Sequence, residues 1–399
     1  MHATVTHIEN PGPLALPKSL SNLFMGLTVL GALAFLGGLA VDSTRAWQNY
    51  MQTLYIFTGF SLGGMVFVAI NHAVTSHWAV VPRRLAEAFM SFIPVAALLF
   101  IVLLVGISME GGKLYSWLGH EHGIASPTKQ RWLSFDLFAA RNVLFFVIWF
   151  FVARKLVAYS VAQDGGQNQD LSLKAARFSI IGLLLFAPTF GFFSYDLLMS
   201  LEPKWFSTMF TVYTFAGVIQ STMALMVIIF VSLKRDQLKH VATPSHLKDL
   251  SGLLFAFTIF MTYIGFSQFM LIWYANLPEE TYYYLKRSDH GWLAIAVLTW
   301  FFKFILPFFG LISQWQKKHE KWLVMVCWGV LVGQFLDIFW LSMPSNHPEL
   351  VMIGWMEIGI LAMFAGLFGI VVSRWMSKHS LIPVGDPRVL ASVNWRFWE

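Results

Sequence analysis

Apolar runs bounded by polar or Pro/Gly-rich stretches recur along almost the whole chain, at about 23–41, 51–72, 86–108, 137–159, 175–196, 206–233, 250–274, 291–312, 321–342 and 350–373. Each is close to or above the roughly 20 residues that a helix needs to cross a hydrocarbon core. In lipid the backbone amides must be satisfied within a helix or a closed barrel, and these runs are too long and too uniformly apolar for barrel strands. The pattern predicts an all-α polytopic membrane protein of ten transmembrane helices.

Composition agrees. The 399 residues are 57% hydrophobic and 12% charged, more apolar surface than one soluble core hides. The net charge of +6 raises the question of nucleic acid, but basic cytoplasmic loops account for it and no nucleic-acid partner is expected. With both termini cytoplasmic, 18 of the 27 Lys and Arg residues fall on the cytoplasmic side and 8 on the other, Lys303 lying within a helix. The first 22 residues carry Pro11, Pro13, Pro17 and a lone Lys18, a poor signal-peptide start, so the first helix is expected to be an uncleaved anchor.

Two short matches suggest an internal repeat. Tyr55-x-Phe57-x-Gly59 opens the second run and Tyr213-x-Phe215-x-Gly217 opens the sixth. Asp196 ends the fifth run seven residues before Pro203, and Asp337 ends the ninth seven residues before Pro344. They frame two four-helix bundles, helices 2–5 (residues 50–204) and helices 6–9 (205–344). A first flanking helix with its loop (23–49), a last flanking helix (345–375), an N-terminal segment (1–22) and a tail (376–399) complete the division.

The single Cys327 excludes a disulfide framework, an iron–sulfur cysteine cluster and a covalent haem site. Of 12 histidines only His72 falls within an apolar run, so neither a bis-histidine haem nor a protein metal cage is expected. Ionisable residues inside spans are costly and are functional candidates by default, interhelical ion pairing being the competing role. They are Glu87, Arg141, Asp196, Lys303, Asp337 and Glu357. At ~1.5 Å per residue, Arg141, Asp196, Asp337 and Glu357 form a shallow outer layer, whereas Lys303 lies deeper and Glu87 and His72 near the inner side. With bridging water, His72, Glu87, Lys303, Asp337 and Glu357 could string together a proton route.

Two outer segments concentrate polar and aromatic residues. Phe193 to Thr208 holds Asp196, Glu202 and Pro203, with Ser207 or Thr208 placed to cap the next helix; Phe266 to Thr281 holds Gln268, Trp273, Tyr274, Asn276, Glu279 and Glu280. An interfacial aromatic belt explains most of the rings but not the acids and amides beside them. These groups, with Arg141 and Arg287, could dock a peripheral subunit, the first choice, or line a quinone pocket.

At these segments the sequence resembles the polysulfide-reductase-like, NrfD-type integral membrane subunits, and among them the smaller such subunit of alternative complex III, a bacterial quinol:cytochrome c oxidoreductase. The carrying residues are Ser194 to Gly217, the block Trp273-Tyr274-Ala275-Asn276 with Pro278-Glu279-Glu280-Thr281, and more weakly Lys303 to Phe309 and Leu336 to Trp340. The resemblance runs from about residue 20 to 375. It implies a cofactor-free subunit of the bacterial inner membrane, with a scaffold or proton-translocating role and a quinone or quinol contact. It also implies partnership with a paralogous membrane subunit, a periplasmic iron–sulfur subunit and c-type cytochromes, which carry the haem c and iron–sulfur clusters. Lys303 stands where some relatives have a histidine, so a relay role for that position does not carry over from the resemblance. A quinone-binding anchor of a molybdenum or sulfur oxidoreductase and a proton-coupled secondary transporter are the competing functions; the transporter requires broken helices and a substrate-sized central cavity.

Overall fold

The computed structural model describes residues 8–119, 126–166 and 168–396, and among them ten helices are long and apolar enough to cross a membrane. The expected N-terminal segment and tail are described except for residues 1–7 and 397–399, which lie outside this range. The spans are α1 (Lys18–Val41), α2 (Ser43–Ala73), α3 (Val80–Met90 continuing as Ile93–Glu110), α4 (Phe135–Ala162) and α5 (Gln169–Leu197). After them come α6 (Phe210–Arg235), α7 (Pro244–Ala275), α8 (Trp292–Trp300, a π-helical turn Phe301–Ile305, and Leu306–Leu311), α9 (Glu320–Ser342) and α10 (Trp355–Met376). The described residues contain no extended strand, only one isolated bridge between Pro13 and Ser380.

The spans pack as two rings of four. Helix α2 touches α3 and α5, α3 touches α4, and α4 touches α5; in the second ring α6 touches α7 and α9, α7 touches α8, and α8 touches α9. The rings meet where α2 lies against α6 and α9. Helix α2 is therefore enclosed on all sides, 94% of its most apolar window being buried. Helices α1 and α10 pair outside the rings. There a Cβ on Gly31 would stand 2.4 Å from the Gly359 carbonyl oxygen, so the backbones approach to a distance only glycine permits.

Both ends lie on one face, here the terminal face, where the Leu14 amide donates to the Met376 carbonyl at 2.9 Å. The opposite face is the far face. Three local expectations are corrected. Helix α2 starts at Ser43 rather than near residue 51, because Asp42 alone separates it from α1 and caps it, accepting from the Arg45 amide at 3.0 Å. Helix α6 starts at Phe210, capped by neither Ser207 nor Thr208; the Ser207 hydroxyl donates to Gln268 instead. The loop arginines Arg83 and Arg84 are helical and fully buried.

Candidate functional site

Pro307 sets the geometry at the middle of α8. A proline at this position offers no N–H to the carbonyl four residues earlier, and the helix widens into a π turn around Lys303. The freed Lys303 carbonyl accepts from Gln220 on α6 at 2.7 Å. The Lys303 side chain, 1% exposed, runs into the ring interior past two glycines. A Cβ on Gly217 would lie 2.9 Å from its Nζ, and one on Gly333 2.6 Å from its Cγ. Its ammonium donates to Gln334 Oε1 at 2.5 Å and to Asp337 Oδ2 at 3.3 Å, and the other Asp337 oxygen accepts from the Tyr213 hydroxyl at 2.5 Å. Lys303 and Asp337, which sequence depth placed in separate layers, form one buried pair. A lone ammonium in hydrocarbon would be far more costly than this pair.

Above the pair a cavity of about 630 Å³ opens between α7 and α8 in the far-face half. The two helices pack through the π turn and the second half of α8, while the first half of α8 stands off. The mouth is apolar and exposed, with Phe266 and Trp273 on one side and Leu293 and Trp300 on the other. The floor is polar: Tyr213, Lys303, Asp337, Gln268 and Thr299 all line it. Thr299 Oγ and Trp340 Nε1 are buried there without a protein hydrogen-bond partner. Gln268 donates to the Tyr284 hydroxyl at 3.1 Å. Burial pushes the Tyr284 phenol up to about 12, against hydrogen bonding from Gln268.

The first ring repeats the plan without the opening. Arg141 on α4 grips Asp196 on α5 with two bonds of 2.6 Å, and Asn142 adds a third at 2.8 Å. Tyr55, the counterpart of Tyr213, bonds Ser194 at 2.8 Å, two residues from the acid. Arg141 and Asp196 thus match Lys303 and Asp337 in helix position. Trp132 lies 4.1 Å over the Arg141 guanidinium, and Phe146, Trp149 and Phe193 fill the interior against one another.

The other far-face candidates divide. Glu357 is gripped by Arg45 at 2.7 and 2.8 Å and by Asn49 at 2.8 Å. Asn49 continues to Gln52, whose amide oxygen accepts from Ser342, five residues beyond Asp337. Arg287 stacks 3.6 Å from Tyr283, which stacks 3.8 Å from Trp205. Glu202 receives Lys286 at 2.8 Å and lies 3.9 Å from Arg287. Asn276 adopts φ 50° as the left-handed cap of α7. Tyr274 and Glu279 are exposed, whereas Glu280 is half-buried in the first turn of the short helix Pro278–Leu285. None of these three lies at the buried pair.

His72 and Glu87 lie at the terminal face, at the opposite end of the spans from Asp337 and Glu357. His72 is 1% exposed. Glu87 is held by Arg83 at 3.1 Å and by Ser160 at 2.7 Å. His246 is a second histidine within a span, because α7 begins at Pro244, ahead of its apolar run; its ring caps that helix through Thr243. Among the described residues no group of three or more His, Cys, Asp and Glu could hold a metal ion. Sequence reasoning missed Arg45, Asn49, Tyr213 as a hydrogen-bond donor, and Gln334. The Tyr-x-Phe-x-Gly repeat was the signal for Tyr213; nothing local marks Arg45, whose partner is 312 residues away. Comparison with protein-family profiles and with curated proteins finds no match to this chain.

Proposed function

We propose that this chain is an integral membrane subunit of a respiratory quinol:cytochrome c oxidoreductase of the alternative complex III type, and that it contacts quinol in the cleft between α7 and α8. The observation that carries the reading is an apolar cavity, open sideways, whose floor combines a buried Lys303–Asp337 pair with unpartnered Thr299 and Trp340 groups. A lipid-soluble quinol enters from the bilayer and offers two hydroxyls to such a floor. The volume of about 630 Å³ lies within the range of small-molecule sites. In this reading the Asp337 carboxylate, held by Tyr213 and Lys303, receives the quinol protons one at a time, and the chain from Ser342 through Gln52 and Asn49 to Glu357 leads them to the far face. Electrons pass to haem c and iron–sulfur centres in partner subunits, with a paralogous membrane subunit beside this one.

The test is purification of the native assembly from a bacterial inner membrane. Co-purifying c-type haem and iron–sulfur signals with quinol-dependent cytochrome c reduction are expected. A molybdenum cofactor in the large subunit would move the chain to the sulfur or molybdenum oxidoreductases, and absence of every redox centre would end the reading. Filling the cleft with Ala296→Trp is expected to lower quinol turnover at least tenfold with assembly intact. A transporter fits less well: the cavity lies inside one ring and opens sideways between α7 and α8, not between the two rings.

A further inference from the structure

The segment from residue 377 to 395 crosses the terminal face beneath both rings, and what it covers is unusual. At its start it pairs with the N-terminal segment, the Leu381 amide donating to the Gly12 carbonyl at 3.0 Å and the Ser380 hydroxyl to Asn10 at 2.6 Å. Gly385 then presses on the first ring so closely that a Cβ there would lie 1.6 Å from the Gln163 carbonyl oxygen. Asp386, fully buried, accepts from Arg83 at 2.9 Å and from Arg388 at 3.0 Å. Ser392 accepts from the Val81 amide at 3.2 Å, donates to the Trp78 carbonyl at 3.0 Å and lies 3.3 Å from His246 on α7. Trp395 closes the strap on the second ring, donating to Asp249 at 2.7 Å. The strap buries its own Leu381, Ile382, Val389 and Val393.

Under the strap lies a polar cluster that the protein does not satisfy by itself. Both ring nitrogens of His72, Nε and Nη1 of Arg84, and Oε2 of Glu87 are buried without a hydrogen-bond partner. Only a 3.5 Å ion pair joins the last two residues. Arg83 links the groups, bonding Glu87 on one side and Asp386 on the other, and Arg83, Arg388 and Asp386 face His72. A small cavity of about 10 Å³, lined by Arg84, Trp375, Met376, Ser380 and Leu381, has room for about one water. Of His72, Arg84 and Glu87 only Arg84 lines that cavity, and unpartnered polar atoms buried together beside a water-sized space are the signature of buried water.

We propose that residues 377–395 form a removable seal over a hydrated chamber, and that His72 and Glu87 exchange water and protons with the aqueous phase on the terminal face only when the seal lifts. The latch is the contact of Gly385 with Gln163 together with the Asp386–Arg83 pair, because these hold the strap directly over the cluster. The seal is independent of the quinol cleft, which opens at the other end of the second ring.

Diethyl pyrocarbonate, which acylates accessible neutral imidazole, tests this on the full chain in lipid nanodiscs, read by peptide mass spectrometry. The exposed His77 and His240 serve as internal standards and His347, beyond α9, reports on the far face. In the native protein His72 is expected to react at under a tenth of the rate of His77. Gly385→Ala and Asp386→Asn are each expected to raise the His72 rate at least tenfold, with His347 unchanged and a cooperative thermal transition retained. A chain ending at Ile382 should react fastest. Two results overturn the proposal: His72 reacting as fast as His77 in the native protein, or His72 as slow as native in both substitutions and in the shortened chain.

Discussion

Asp196 and Asp337 each gain a cation and a hydrogen-bond donor, and the cost of removing a partner follows from burial. Arg141→Met leaves Asp196 buried without its cation, which costs about 3–5 kcal/mol when one member of a buried pair is lost. A fall in thermal midpoint of the purified subunit, relieved in part by adding Asp196→Asn, is the expected result. Lys303→Met leaves Asp337 without its cation in the same way, and is expected to abolish quinol turnover and to lower the thermal midpoint. Asp337→Asn and Glu357→Gln are expected to lower protons moved per electron more than the electron-transfer rate; unchanged stoichiometry in both would remove them from a proton route. Outside the spans, burial pushes the Asp386 carboxyl up, but Arg83 and Arg388 outweigh it and hold the group well below the usual carboxylate range. A carboxyl held low stabilises the fold above its unfolded value of about 4, and that contribution is lost as pH falls through the folded value. The difference in thermal midpoint between native protein and Asp386→Asn is therefore expected to be full at pH 7 and to shrink on strong acidification.

At the level of elements, the break in α8 decides where the charge goes. Without Pro307 the Lys303 carbonyl would take its ordinary helical donor, and the π turn would lose its cause. Pro307→Ala is expected to raise the thermal midpoint while lowering quinol turnover, since a regular helix turns Lys303 away from Asp337. A midpoint and turnover both unchanged would show that the packing against Gly217 and Gly333 alone positions the lysine. The α1–α10 pair is held by close backbone approach with little polar contact. A Cβ on Gly366 would stand 2.5 Å from the Phe24 carbonyl oxygen. Gly366→Leu is expected to free α1, read as faster proteolysis near Lys18 with the two rings intact.

Over the whole molecule, two rings of the same plan have diverged in access. The first closes its Arg141–Asp196 pair under Trp132 and a filled aromatic interior; the second leaves its Lys303–Asp337 pair below an open cleft. Polar groups continue between the ends along the enclosed helix α2, from Asn49 and Gln52 near Glu357 to Asn71 and His72 under the strap. An asymmetric pair of rings around one polar helix suits a subunit that takes up a ligand in one half and uses the other as a rigid support.

The ten helices and the shared side of the two ends were legible in the sequence, because burial in lipid demands an apolar run of sufficient length and little else; the helix ends were not, since polar turns such as Ser43 to Tyr50 extend α2 beyond its apolar run. The spacing shared by Tyr55 with Tyr213 and by Asp196 with Asp337 was legible too, and these residues lie on the first and last helices of the two rings. Charge patterning could not show where the basic residues point. Arg83, Arg84, Arg45 and Arg287 count as loop charges along the chain, yet Arg83, Arg84 and Arg287 are fully buried and Arg45 is committed to Glu357. Depth along a helix likewise separated Lys303 from Asp337, because a long side chain beside two glycines travels farther than its Cα. Only the tertiary structure set which helix pairs leave a cleft and which are filled, since that depends on contacts across more than a hundred residues. The strap under His72 belongs to the same class: a polar tail in sequence, a buried closure once Asp386 meets Arg83.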